Sequence, residues 1–509
     1  MTLGLRSFAL SASPRKPASL RLILLACAGL CAAMGAAPRL AHAGGLYLMP
    51  LGAEPAARGG ARVAGANDPH ALWYNPAGLA YSGRQLVVDL GLPLARASFT
   101  QYMPDGTSSA TARAHANVVP IPTIAYSDDF GLRRWGFGIG IVVPPAYSLN
   151  WPSQVDGQPS PQRYSILNAN GSAIASLSLA AAYRPIDRLS LGASLYITAA
   201  RIGGEVAVSA CDYAFCSQPE GREWEGRTKF LLGPVITATA VFGVRYDFDR
   251  FRIGGSVQVR TKIGGNAQFD VRLPDNAIFD GVSLHNQHGG DELRAKMSFD
   301  LPTIIRLGIE GDLDKNTKIE LGGTWENWAV QRNITVRPIH VTAQDVPGVG
   351  NVQAQPVSLG TNQRATWAMN LGGTHELTRF TKNKRGLFAH GGFMYESSSF
   401  APRDLSATSI DTNKVMLACG GSVELMKGLL LDVSYGHIFM VNHAVHDSRV
   451  LLPAAIRPLP VDQDPATYAA GDRPAIGNGR YAIEADFVAI GMRWKIDETR
   501  EAWRKKAQN

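Results

Sequence analysis

Beyond its first forty residues this chain of 509 has no apolar run long enough to cross a bilayer as a helix. Cysteine is scarce too, five in all, and no His or second Cys pair stands close to Cys211 and Cys216 to complete a metal site. Three signatures of catalysis are missing: the Gly-x-Ser-x-Gly elbow, His-Glu-x-x-His, and a phosphate-binding loop. No enzyme is expected, and no cofactor. Charge of one sign is lacking as well. The 50 basic residues outnumber 42 acidic ones, but Arg6, Arg15, Lys16, Arg21 and Arg39 crowd the first 43 positions, where no acid stands. What remains is close to neutral and has no basic, aromatic-laced stripe, so nucleic acid is not an expected partner.

What is present begins with a leader. A basic start, an apolar run over residues 22–37 and Ala41-His42-Ala43 before Gly44 read as a secretion signal over residues 1–43. Leu25 stands where a lipobox preceding Cys27 needs a small residue, so no lipid anchor is expected. In an exported chain, Cys211 and Cys216, five apart in one loop, suggest a disulfide. Cys419 lies in a strand pattern and reads as a small membrane- or core-facing residue.

From residue 84 to 496, fourteen segments alternate apolar and polar residues with period two. Leu189, Leu191, Ala193, Leu195 and Ile197 interleave with Ser190, Gly192, Ser194, Tyr196 and Thr198. The connections alternate between very short and long. Asp128 to Gly131, Arg184 to Asp187, Asp247 to Arg250 and Gly311 to Lys315 are short. Stretches near 101–112, 151–172, 203–227, 271–291, 337–360, 397–412 and 442–479 are long. Tight turns at one end, long loops at the other and an even strand number describe an antiparallel transmembrane β-barrel of the bacterial outer membrane. The last strand breaks the pattern. Tyr481, Ile483 and Phe487 share one parity while Val488, Ile490, Met492 and Trp494 share the other, which requires either a bulge near Phe487 or a different register.

Residues 44–83 are rich in Gly, Ala and Pro, lack strand alternation, and suit a compact plug. Within them stands Trp73-Tyr74-Asn75-Pro76-Ala77-Gly78-Leu79, where Asn before Pro favours a turn and Ala-Gly permits close packing. This motif resembles the hatch of FadL-type outer-membrane transporters of long-chain fatty acids and aromatic hydrocarbons. Four further stretches resemble the same family in order and spacing. They are Trp135 to Gly140 running into Val143-Pro144, Leu301-Pro302 before Leu307-Gly308, Trp325-Glu326-Asn327-Trp328, and Gly392 to Glu396.

The resemblance implies a fourteen-stranded barrel over residues 84–496, an N-terminal hatch over 44–83, and a gate built on Trp73, Tyr74, Asn75, Pro76, Ala77 and Gly78. It also implies a kink in the third strand that opens sideways to the membrane. Gly138, Gly140, Pro144 and Pro145 are the candidates, although the prolines fit simple strand termination equally well. Residues 497–509 form a charged tail expected on the periplasmic side. The implied function is gated passive diffusion of hydrophobic small molecules, with a general aqueous porin or an outer-membrane lipid hydrolase as alternatives. Expected partners are the ligand, outer-membrane lipid and lipopolysaccharide, and the barrel assembly machinery, with the chain a monomer. His437, His443 and His446 lie close in sequence at a strand end; rim histidines are preferred over a metal cluster.

Overall fold

Strands with period-two alternation close a barrel when each finds two antiparallel neighbours, and that closure is seen in the computed structural model. It describes residues 49–116, 120–144, 149–210, 220–286, 288–290, 292–331, 333–346, 350–354, 356–360, 362–378, 381, 385–408, 410–453 and 474–508. The leader, both Cys211 and Cys216, and Pro145 lie outside the described residues.

Among these residues fourteen strands form the wall. They are β1 (Gln85–Gln101), β2 (Ala112–Ala116 and Ile121–Asp128), β3 (Trp135–Val142 and Leu149–Asn150), β4 (Ala173–Ile186) and β5 (Leu189–Ser209). Next come β6 (Glu225–Asp247), β7 (Phe251–Gln258 and Thr261–Arg272), β8 (Arg294–Leu301 and Ile304–Asp312) and β9 (Thr317–Glu326 and Asn333–Pro338). The wall is completed by β10 (Val357–Gly360 and Thr366–Glu376), β11 (Leu387–Glu396), β12 (Lys414–Met426), β13 (Leu429–Met440 and His443–Val445) and β14 (Gly479–Lys495). Each pairs with its sequence neighbours, and β14 pairs back onto β1 from Gln85↔Lys495 to Gln101↔Gly479. Closure leaves no free sheet edge, which a lipid environment demands.

The outward face is apolar and bare. Leu191, Leu195 and Ile197 on β5, Phe242 and Val244 on β6, and Val433 and Phe439 on β13 are all exposed. Among the described residues no helix is long and apolar enough to cross a membrane. Aromatic rings collect at both rims of this band, as they do at bilayer interfaces. At the short-turn end Trp135 meets Tyr183 at 4.7 Å, and Phe248 stacks on Phe251 at 4.1 Å. At the other end Trp367 lies 5.1 Å from Tyr395.

The last strand has no bulge. β14 runs in unbroken register against β1, and against β13 from Leu429↔Trp494 to Phe439↔Glu484; the one extra residue before His443↔Tyr481 belongs to β13. Tyr481, Ile483 and Phe487 point inward and are buried, while Val488 and Ile490 point to lipid. Both parities are apolar because the barrel interior is itself apolar toward the long-loop end. There the loop after β11 folds into the mouth, burying Phe400, Leu405, Ala407 and Ile410 beside Tyr481, Met416 and Ile438. Strand β5 extends to Ser209, farther than its sequence pattern suggested, so the following loop is shorter. At the opposite end, a helix (α3, Ile496–Gln508) follows β14 directly.

Candidate functional site

Residues 49–83 lie inside the wall. The segment contains a short helix α1 (Ala53–Ala57), one turn α2 (Ala71–Tyr74) and a 3₁₀ stretch, Pro76–Tyr81. Asn75 sits at the junction between the last two. Its extended backbone ends α2, its side-chain oxygen accepts from Ala77 N at 3.2 Å, and Pro76 opens the 3₁₀ turn without wasting a donor. The Asn75 amide donates to Val63 O and, across to the wall, to Val244 O, both at 3.0 Å. Asn75 and Ala77 are wholly buried, Trp73 and Tyr74 nearly so. The Tyr74 hydroxyl donates to Leu51 O at 2.9 Å, and the wall residue Tyr196 donates to Leu72 O at 2.5 Å.

Wall glycines make room for this segment. A Cβ on Gly243 would fall 2.2 Å from Asn75 Oδ1, and one on Gly136 would fall 2.0 Å from Leu79 O. Gly138 and Gly140 do the same against Leu72. They sit in an intact ladder, paired with Ser127 and Ala125 on β2 and with Ala180 and Ser178 on β4. Among the described residues the ladder with β4 ends at Val142↔Ser176, and Leu149–Asn150 pair with β2. Pro144 lies two residues beyond that last described pair with β4.

Below α1, toward the short turns, the segment is held by buried charge. Arg58 meets Glu310 at 2.8 Å, Glu54 at 3.3 Å and Glu320 at 3.7 Å. Glu310 and Glu320 stand directly opposite each other on β8 and β9, so Arg58 separates two like charges that would otherwise repel. Glu320 also accepts from three successive backbone N–H groups, Val63, Ala64 and Gly65, at 2.5–2.9 Å. Arg62 bridges Glu54 at 3.2 Å and Asp68 at 2.6 Å. His70 lies between Asp68 (Nδ1, 3.0 Å) and Asp89 (Nε2, 2.7 Å), while Asp89 accepts from Ala53 N. Burial would strip the His70 imidazole of its proton, but the two carboxylates outweigh it and raise its pKa to about 10. Burial likewise pushes the Glu54 carboxyl up, yet Arg62 and Arg58 hold it well below the usual carboxylate range. A cavity of about 600 Å³ opens beside this network, lined by Arg58, Arg62, Glu310, His390 and Arg493 among others.

Above the segment the surroundings change character. A small cavity, about 90 Å³, is lined by Met49, Leu51, Val63, Trp73, Tyr74, Ala368 and Met394, with Arg306, Glu326 and Glu396 as its charged members. Arg306 is nearly fully buried and lies 5.1 Å over the Trp73 ring, and its Nη1 has no hydrogen-bond partner among the described residues. Glu326 accepts from Trp328 Nε1 at 2.6 Å, and Glu396 pairs with Lys414 at 3.1 Å. Around this cavity the apolar lining runs through Phe99, Ile121, Val241, Ile438 and Phe487 to the mouth.

Of the predicted residues, Trp73 to Gly78 are thus brought together, and Gly138 and Gly140 pack against Leu72 beside them. His437, His443 and His446 do not converge: His437 bonds Asp486 at 2.8 Å and His446 stacks on Tyr102. Cys419 is exposed on the outward wall. The sequence reading missed Arg306 and the charge network. Period-two parity places Glu310 and Glu320 on the inner face, and a facing acidic pair there signals that a buried cation must lie between them.

The family described as outer membrane protein transport protein (OMPP1/FadL/TodX) matches residues 35–461. Comparison with curated proteins finds no matching sequence. Among solved structures, a Pseudomonas aeruginosa FadL homologue is similar with a TM-score of 0.65 at 15% identity, covering 89% of this chain and 99% of the other. The Pseudomonas putida toluene transporter TodX gives 0.58 at 15% identity over 89% and 99% of the two chains. The Ralstonia pickettii toluene transporter TbuX gives 0.54 at 15% over 88% and 98%. At these identities the likeness is one of fold.

Proposed function

The chain belongs to the outer membrane protein transport protein family (OMPP1/FadL/TodX), and on that premise we propose that it admits hydrophobic small molecules by gated passive diffusion. The observation that carries this reading is the division of the lumen, with an apolar upper half resting on a segment that a charge network holds in place. An apolar solute gains by leaving water for the upper half, roughly 25 cal/mol per Å² of apolar surface buried. It meets the segment at the cavity lined by Trp73. That cavity, about 90 Å³, is far below the several hundred Å³ of a ligand pocket. Seating a whole ligand therefore requires Met49 to Leu51 to move, so binding and gate motion are one event. An aqueous porin has no use for such a lining.

Long-chain fatty acids and aromatic hydrocarbons are the two substrate classes this reading admits. The buried, partly unpaired Arg306 guanidinium favours an amphipathic acid, whose carboxylate would take the open Nη1 while its chain lies along Trp73 and Met394. Release is sideways beside Pro144, past the last described β3–β4 pair Val142↔Ser176, because the region beneath the segment is charged and hostile to an apolar solute. On this reading residues 44–83 are the hatch, 84–496 the barrel, and the long loops face outward.

The test is uptake into proteoliposomes holding the purified barrel. Labelled oleate and toluene should equilibrate faster than in empty vesicles, and Arg306→Gln should slow oleate several-fold while sparing toluene. Flux of sugars and ions without flux of either hydrophobic solute would sink the proposal. Val in place of both Pro144 and Pro145 should preserve ligand binding and slow release into the bilayer.

A further inference from the structure

Most of the C-terminal helix lies beyond the barrel and has no part in the path just described. Its first turn is fastened to the wall. Ile496 N donates to Arg84 O at 3.1 Å, and the Thr499 hydroxyl, buried, donates to Lys427 O at 2.7 Å in the β12–β13 turn. The same hydroxyl accepts from Trp494 Nε1 at 3.0 Å. Trp494 belongs to the lipid-facing parity of β14, in line with Val488 and Ile490, at the last position before the wall ends. Thr499 therefore marks the helix face that turns toward lipid. One helical turn on, the same face carries Trp503, which is 53% exposed.

Charge follows the same division. The acidic residues are all answered within the protein. Asp497 pairs with Arg84 at 3.5 Å, Glu498 with Lys495 at 3.2 Å, and Glu501 with Lys505 at 2.6 Å. Arg500 and Arg504, which stand beside Thr499 and Trp503 on the helix, have no acidic partner among the described residues. An exposed indole flanked by unpaired guanidinium groups, starting level with an aromatic rim, is the make-up of a helix lying in a membrane interface.

We propose that α3 lies in the headgroup layer of the periplasmic leaflet, its occupant being anionic phospholipid, with Trp503 inserted at the acyl boundary and Arg500 and Arg504 on lipid phosphates. The end carrying the short turns is the periplasmic one in outer-membrane barrels. Such an anchor holds the seam where β14 closes on β1 at a fixed depth.

The experiment uses the full mature chain, otherwise free of cysteine, in nanodiscs of phosphatidylethanolamine and phosphatidylglycerol at 3:1. Bimane is placed at Trp503→Cys or, on the opposite face, at Glu501→Cys. Iodide quenching should be at least threefold weaker at 503 than at 501, and brominated lipid should quench 503 but not 501. Arg500→Glu with Arg504→Glu should raise iodide quenching at 503 to the level at 501, and replacing phosphatidylglycerol with phosphatidylcholine should move it the same way. Equal quenching at the two positions would overturn the proposal. So would protection from iodide at 503 without quenching by brominated lipid, since the helix would then be packed on protein. The bromolipid measurement needs no charge reversal, so it stands even if the double variant fails to assemble.

Discussion

The two halves of the lumen are built on opposite chemistry from the same fourteen strands. Toward the long loops the inward residues are mainly apolar, as Phe99, Ile121, Val241, Ile438, Ile483 and Phe487 are, with Arg306, Glu326 and the Glu396–Lys414 pair as charged exceptions. Toward the short turns they are charged and paired: Asp89, Glu310, Glu320, Asp432 and Arg493, joined to Glu54, Arg58, Arg62, Asp68 and His70 of the segment between the halves. Burying ions costs several kcal/mol each before pairing offsets it, so this is a poor way to gain stability. It is a good way to fix a segment in one place, because a charge network has few alternative arrangements of comparable energy. An apolar contact slides; a bidentate or bridged carboxylate does not. The upper half suits a solute that must move, and the lower half suits a stopper that must not.

The largest effect should come from removing the stopper. Deleting residues 44–83 leaves every ladder hydrogen bond of the wall intact, so a folded barrel is expected. Its conductance in planar bilayers should rise by roughly tenfold or more, since a barrel of this strand number has space for water once emptied. Unchanged conductance would mean that the segment does not obstruct the path.

Arg58→Met comes next. It removes the one cation shared by Glu54, Glu310 and Glu320, leaving Glu54 to Arg62 and Glu310 to Arg252 while Glu320 loses its arginine, a break expected to cost about 3–5 kcal/mol. That penalty falls on the seating of the segment rather than on the wall. Frequent opening events should appear in single-channel records while the heat-modifiable band shift of the barrel persists. Loss of the folded band instead would place the network in wall stability and erase the contrast between the halves.

Alkaline pH should loosen the same region. His70 has its pKa raised to about 10 by Asp68 and Asp89, from 6.5 when released to solvent. A raised pKa means the seated state holds its proton more tightly than the released one. The stabilisation is therefore complete below about pH 6.5 and is lost as pH climbs toward 10. Leak conductance should be flat from pH 5 to 6.5 and grow between 7 and 10. His70→Asn should abolish that slope; a slope that survives the substitution assigns it to another group.

Much of this contrast was legible in the sequence, but unevenly. The alternation of Leu191, Leu195 and Ile197 with Ser190, Ser194 and Thr198 needed only the pleat to predict a wall, and the turn spacing gave its sense. The burial of the Trp73–Gly78 motif was legible because Trp73 and Tyr74 need burial beside a turn. The last strand misled because period two identifies a lipid face only when the other face is polar, and at Tyr481, Ile483 and Phe487 it is not. The charge network stayed hidden for a different reason. Parity shows which way Glu310 points, but its partner Arg58 is 252 positions away, and only the folded segment brings it there. Arg306 was likewise one inward arginine among several until Trp73 lay beneath it.

A smaller effect should come from Asn75→Ala. The side chain makes one bond within its own turn, one to Val63 and one to the wall at Val244. Losing these should cost about 1–3 kcal/mol, enough to slow hydrophobic uptake without preventing assembly. Normal uptake would show that the turn holds its shape without its capping residue.

The smallest and most discriminating effect is expected at Ile483→Thr, deep in the upper lining. The exchange keeps the β-branched shape and β-propensity, so the wall should be undisturbed. It trades apolar surface for a hydroxyl along the path, worth on the order of 1 kcal/mol, hence a reduction in hydrophobic flux of about fivefold. Leak conductance should not change, because nothing at 483 touches the charge network. Arg58→Met should behave in the mirror sense, raising leak while leaving the affinity of the upper lining alone. Distant sites that act on separate steps add. The double variant should therefore show the full leak of one and the full flux loss of the other. Marked non-additivity in either readout would mean that the two halves are one coupled device, with the lining itself helping to seat the hatch.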